Sequence, residues 1–97
     1  MRRPRIPKQH RFPWGYVVPT EFHNLVGLNG QTLLEQHPNG PRIDIDTRGS
    51  YSEQIEAYAH EMMHAAADFN RWVLQTIVAP LREEEEATRK ALEEKHE

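Results

Sequence analysis

The chain has 97 residues, 37% of them apolar and 28% charged, with a formal charge of −3 and no cysteine. That length holds one domain and one core, and it excludes a disulfide framework and every thiolate-ligated zinc or iron–sulfur centre. Six histidines stand out in so short a chain. With thiolates excluded, histidine is the residue through which it would hold a transition metal.

Charge divides the chain in two. Residues 1–48 carry seven Lys and Arg against four Asp and Glu, and residues 49–97 carry five against eleven. Five of the basic residues (Arg2, Arg3, Arg5, Lys8 and Arg11) fall within the first eleven, among two prolines and no acid. Residues 1–11 therefore read as a flexible basic arm and residues 12–97 as a single domain. Such an arm could touch nucleic acid or an acidic partner, although charges on a flexible terminus are more often simply solvated. No apolar stretch of a signal peptide is present, and no run approaches the ~20 apolar residues of a membrane span. The expectation is a soluble, cytoplasmic protein with no membrane partner.

From Phe12 to Val18 aromatic and β-branched residues alternate with breakers, which predicts a strand beginning near Trp14 and stopped by Pro19. Asn29-Gly30 marks a turn, and Thr32 to Gln36 could pair back as a second strand. After the breaker cluster His37 to Pro41, the run Arg42-Ile43-Asp44-Ile45-Asp46 alternates with period two. Ile43 and Ile45 should face a core, with Asp44 and Asp46 facing out. Ser50 and Glu53 fit a capping box, so a helix should begin there. Ile55, Tyr58, Ala59, Met62, Ala66, Phe69 and Val73 form its apolar stripe. Pro80 bounds that pattern, and a break near Asn70-Arg71 is an alternative. Leu81 to about Lys95 reads as a further helix with i,i+4 charge pairs and few apolar residues.

Within the capped helix lies His60-Glu61-Met62-Met63-His64, a match to H-E-x-x-H. Positions i and i+4 share a helix face, so both imidazoles can address one ion. Glu61 lies about 100° round from His60, where a carboxylate can act on water without taking a ligand position. This is the chemistry of metal-assisted hydrolysis: zinc polarises a carbonyl and acidifies its water, and the carboxylate carries the proton to the leaving amine. On a wheel with His60 at 0°, His64, Asp68 and Glu61 fall at about 40°, 80° and 100°, while the apolar stripe centres near 210°. The polar quartet is thus expected to face away from the core. A solvated face of histidines hydrogen-bonded to nearby carboxylates is the bland alternative.

Catalytic zinc normally takes three protein ligands. Asp68 suits a supporting hydrogen bond better than direct ligation, because three turns of one straight helix do not converge easily on a tetrahedral ion. A glutamate from a following helix, folded back on the first, is the remaining option. Glu83, Glu84, Glu85 and Glu86 supply four in a row, among which physics does not choose. An acidic run near a helix start is also favoured with no metal at all.

The run His60 to Phe69 resembles the active-site helix of the gluzincins. Glu86-Ala87-Thr88-Arg89-Lys90-Ala91 is similar to their glutamate-alanine helix, and above all to the E-A-x-R-x-A stretch of ImmA/IrrE-type and other short phage or prophage metallopeptidases. The Ile43 to Asp46 strand and the Glu53 to Tyr58 lead-in share the likeness, which covers about residues 42–92. It implies His60, His64 and Glu86 as ligands of one zinc ion, Glu61 as the general base and acid, and a bacterial or phage-infected cell as the setting. Asn70 and Ala67 depart from the metzincin pattern, and no residue is plainly placed to stabilise an oxyanion. His23, Tyr58, Arg71 and Arg82 are the candidates.

The expected architecture is α+β: a minimal zincin-like domain with a small antiparallel sheet packed on the active-site helix, plus a C-terminal helix. The expected function is zinc-dependent hydrolysis of peptide bonds in a protein or peptide substrate, with Arg42 to Asp46 as an exposed sheet edge that an extended substrate could join. A homodimer would enlarge the cleft of so short a chain. The alternative is a non-enzymatic, small phage-type protein with a structural metal site and a basic arm for nucleic acid or a partner.

Overall fold

In a computed structural model of the protein, which describes residues 5–34 and 41–95, four short strands pack against the first half of a very long helix. The fold is α+β. The strands are β1 (Gln9–Arg11), β2 (Val17–His23), β3 (Gly30–Leu33) and β4 (Arg42–Asp46), in the spatial order β1-β2-β4-β3. The sheet is mixed and not antiparallel throughout: β1 with β2 and β3 with β4 are antiparallel, whereas β2 and β4 run parallel. Residues 9–11 of the expected flexible arm are thus an edge strand. Residues 1–4 of that arm, and Glu35 and Gln36 of the expected second strand, lie outside the described residues.

Pro19 does not stop β2. The Thr20 N–H donates to the Lys8 carbonyl on the β1 side, so the Pro19 nitrogen points to the other edge, where pairing with β4 starts only at Thr20. The missing donor falls where no ladder bond is needed. Trp14 belongs instead to a 3-10 turn, Pro13–Gly15, with a left-handed φ of 60°. Its ring stacks near Phe69, which also meets Phe12 and Tyr16.

Ile43 and Ile45 are fully buried with Val18 and Tyr16, as the alternation requires. Asp44 and Asp46 are buried as well, at 2% and 7% exposure, contrary to the expectation that they face solvent. Each is enclosed by its own donors, since a buried charge must be paired. Arg42 and Gln31 donate to Asp44. Asp46 accepts the Leu25 N–H, which chiefly holds its carboxyl below the ordinary range, and is flanked by Arg48.

Helix α1 (Tyr51–Val73) starts at the anticipated capping box: Ser50 Oγ accepts the Glu53 N–H, and Glu53 accepts the Ser50 N–H, both at 3.2 Å. Its buried face is not the one centred on the large apolar residues. Ala57, Glu61 and Ala65, each four residues apart, are its buried positions, with Tyr58, Met62, Phe69 and Trp72 partly covered beside them. The cause is the close approach of β3. A Cβ on Gly30 would lie 3.2 Å from Glu61 Cγ and 3.3 Å from Ala57 Cβ. A strand without a side chain there can lie on a ridge of small residues, and α1 turns that ridge inward.

Beyond Val73 the chain neither breaks nor folds back. A π-helical segment (Leu74–Val78) leads directly into α2 (Ala79–Lys95), with Leu74 and Ala79 both in right-handed helical conformation. In the π segment the Ala79 N–H donates to the Leu74 carbonyl. That wide turn opens the helix where the Pro80 ring would otherwise strike the Thr76 carbonyl, so proline passes without a bend. The three segments form one rod, and the longest dimension of the molecule is 69 Å. No residue of α2 is buried. No helix among the described residues is long and apolar enough to cross a membrane.

Candidate metal centre

His60 and His64 stand one turn apart at the rim of α1's buried face, both exposed. Their Nε2 atoms are 3.3 Å apart and their rings meet edge to face. Two imidazole nitrogens at about 2.0–2.1 Å from a tetrahedral zinc ion are roughly 3.3 Å from each other. The observed spacing therefore fits a metal ion as well as it fits a single shared proton.

Glu61 is placed differently from its neighbours. It is 8% exposed and lies under β3, inside the buried face and not opposite it as the wheel implied. Its backbone position puts Oε1 against Thr32, whose hydroxyl donates at 2.8 Å. The other oxygen, Oε2, lies 4.0 Å from His60 Nε2. One carboxylate oxygen is thus held by the sheet, while the other lies on the His60 side.

Asp68 supports neither histidine among the described residues and instead makes a hydrogen bond toward the core. It accepts the Tyr16 hydroxyl at 2.6 Å and the Arg71 guanidinium. Burial first, and then the Asp68 bond and charge, push the Tyr16 phenol well above its ordinary value. Of the oxyanion candidates, Arg71 lines a cleft together with His64, with its guanidinium engaged by Asp68. His23 lies with Glu21 and Asp44 on the other side of the sheet, Tyr58 is a partly buried core residue, and Arg82 is on α2.

Glu86 does not join the site. It lies on exposed α2, 22 residues beyond His64 in the sequence, which is about 33 Å along a helix at 1.5 Å per residue. Glu83, Glu84 and Glu85 are equally remote, because the rod never reverses. Among the described residues no third carboxylate or imidazole completes the pair. The one group among the described residues with ligand atoms mutually within 4.8 Å is Glu21, His23 and Asp44. There Arg42 Nε already lies 2.9 Å from Asp44 and 3.3 Å from Glu21, so its charge occupies the place a cation would take.

Two clefts flank the histidines along β3. One, of about 370 Å³, is lined by Asn29, Gly30, Glu53, Glu56, Ala57, His60 and Glu61. The other, of about 250 Å³, is lined by Leu34, His64, Ala67, Asp68 and Arg71. β3 is one edge of the sheet, with β1 the other, and β4, the expected edge, lies between β2 and β3. Thr32, which holds the carboxylate, carries no motif in the sequence, and Gly30, expected in a turn with Asn29, is instead the first residue of β3. Comparisons with protein-family models, curated proteins and solved structures find no match to this chain.

Proposed function

We propose that His60 and His64 bind one zinc ion and that the site hydrolyses peptide bonds in an extended polypeptide, with Glu61 as general base and acid. The observation that carries this reading is the divided carboxylate: Oε1 is fixed by Thr32, and Oε2 lies 4.0 Å from the Nε2 of His60, one of two imidazole nitrogens at tetrahedral spacing. The chemistry supplied by bound zinc is Lewis acidity, toward a carbonyl oxygen and toward water.

The chain's own residues do the rest. The edge of β3, which no described strand covers, pairs with the substrate main chain and draws it across the histidines. Glu61 Oε2 takes a proton from the attacking water and returns it to the leaving nitrogen. Thr32 keeps Oε1 engaged, so the proton is handled at one oxygen.

The test is metal analysis of the purified chain together with cleavage of a mixed peptide library. One zinc per chain is expected, lost in His60→Ala and His64→Ala, with hydrolysis absent in Glu61→Gln although zinc is kept. Equal activity in Glu61→Gln overturns the mechanism.

The second reading is a non-catalytic metal site in a protein that binds nucleic acid or another acidic partner. The incomplete ligand set favours it, as does the exposure of Arg5, Lys8 and Arg11. Zinc binding without hydrolysis, joined to salt-sensitive nucleic-acid binding lost when Arg5 and Lys8 become Gln, would establish it.

A further inference from the structure

We infer that the β1 edge and the turn after it form a binding face for single-stranded nucleic acid, in which Arg5, Lys8 and Arg11 take phosphates and Trp14 stacks on an unpaired base. This rests on the second reading above, in which the basic residues meet an acidic partner, and adds the class of that partner and the residue that selects it.

The charge at this end of the molecule is unopposed. Residues 1–20 contain five basic residues and no acid, and the first carboxylate in the sequence is that of Glu21. Arg5, Lys8 and Arg11 are exposed, and none of them meets a carboxylate among the described residues. Arg42, Arg48 and Arg71, by contrast, are each held by an aspartate. β1 is an outer strand of the sheet, with Lys8 just before it and Arg11 as its last residue. Cations with no protein partner keep their charge for phosphate, and each phosphate neutralised releases counterions.

Trp14 is an independent observation. Its backbone is left-handed, with φ 60° and ψ 29°, a region that a bulky side chain rarely occupies. Packing does not account for it: the side chain is 60% exposed and stands outside the core cluster that takes in Phe12, Phe69 and Trp72. Its indole lies nearly parallel to the Phe69 ring, with 24° between the planes and centroids 6.4 Å apart. Phe69 is stacked in turn on Phe12. The indole is therefore steadied on one side by the core and open on the rest, three residues from Arg11. Strain of this kind clusters where a side chain is held for a ligand.

The pairing of the two features narrows the partner. A π face beside unpaired cations matches a nucleobase next to its phosphate, and every base offers such a face, so the stacking is tolerant of sequence. A duplex keeps its bases stacked inside and would meet the cations alone. An acidic peptide would likewise satisfy the cations and leave the indole without a partner. Phe69 is about 180° round α1 from His60, so this face lies apart from the histidine pair and stands or falls separately from any hydrolysis there.

The experiment follows the fluorescence anisotropy of a labelled oligothymidine of about 12 nucleotides titrated with the full chain at several salt concentrations. Trp14→Ala should weaken binding roughly 5- to 100-fold, the loss of one base stack, with the salt dependence unchanged. Trp14→Phe should keep most of the affinity, and circular dichroism should show both variants folded. Arg11→Gln should weaken binding and reduce the salt slope by about 0.7. A duplex of the same length should bind less tightly. Equal affinity in Trp14→Ala, or tighter binding of the duplex, overturns the inference and leaves the second reading standing on its basic residues. No binding of either oligonucleotide overturns both the inference and nucleic acid as the partner in that reading, and attachment to phosphatidylserine–phosphatidylcholine vesicles would then identify the acidic partner as a lipid surface.

Discussion

Thr32, on the edge strand, donates its hydroxyl proton to Glu61 Oε1 at 2.8 Å across the sheet–helix interface. The Glu61 carbonyl is also close, at 3.2 Å, but a hydroxyl has one proton and the charged oxygen is the stronger acceptor. Thr32 is therefore a positioning residue. Thr32→Val should lower kcat about 10- to 100-fold, as the loss of a supporting bond does in metal sites, with KM and zinc content little changed. A variant with unaltered kcat would show that Glu61 needs no such support.

Gly30 is where β3 comes closest to the helix, and the three atoms around its absent side chain lie at 3.2–3.3 Å. They belong to Glu61, Ala57 and the Asp44 backbone, of which only the first can move at small cost. Gly30→Ala should destabilise the fold by about 1–3 kcal/mol, as overpacking does, and depress activity by displacing Glu61. Denaturant melts of the variant measure the first effect. A melt at wild-type stability would mean that β3 lifts freely from α1.

The Tyr16–Asp68 bond ties the aromatic end of the sheet to α1. Tyr16→Phe leaves a half-buried carboxylate short of one donor and should cost about 1–2 kcal/mol near pH 7. The phenol is raised in the fold above its ordinary value of 10.0. Its contribution is therefore complete below that value and is lost as pH rises toward the folded one. Wild-type stability should fall as pH rises above about 10, and Tyr16→Phe should fall less. Equal slopes would remove Tyr16 as the cause.

At the other end of α1 the sign is reversed. Glu53 has its carboxyl lowered by its bonds to Ser50, so the stabilisation is present above the unfolded-state value near ~4.3 and is lost as pH drops through the folded one. Ser50→Ala should cost about 1 kcal/mol at neutral pH and flatten the acid limb of the stability curve, which thermal melts from neutral to acid pH would record.

Much of this architecture is legible in the residues alone. The alternation of Ile43 and Ile45, the Ser50–Glu53 cap and the i,i+4 histidines all depend on local spacing, and the structure places them accordingly. What the spacing misses is set by neighbours distant in sequence. Asp44 is buried because Arg42 and Gln31 surround it, and α1 turns its small-residue ridge inward because Gly30 lies on it. The failure of Glu86 has a local cause of another kind. Proline normally ends a helix, but a π turn immediately before Pro80 removes the clash, so the second helix cannot fold back to deliver its glutamate.

The same five residues set a phase. A residue added to or removed from Leu74–Val78 turns everything beyond it by about 100° and moves it by about 1.5 Å relative to the sheet. Leu81 and Leu92, which stand exposed along one side of α2, therefore point in a direction fixed by the π turn and not by any contact of their own. Length along this rod is tolerant of error, whereas azimuth is not: a single-residue indel there would leave the metal-binding face intact and re-aim the whole outer half of the helix.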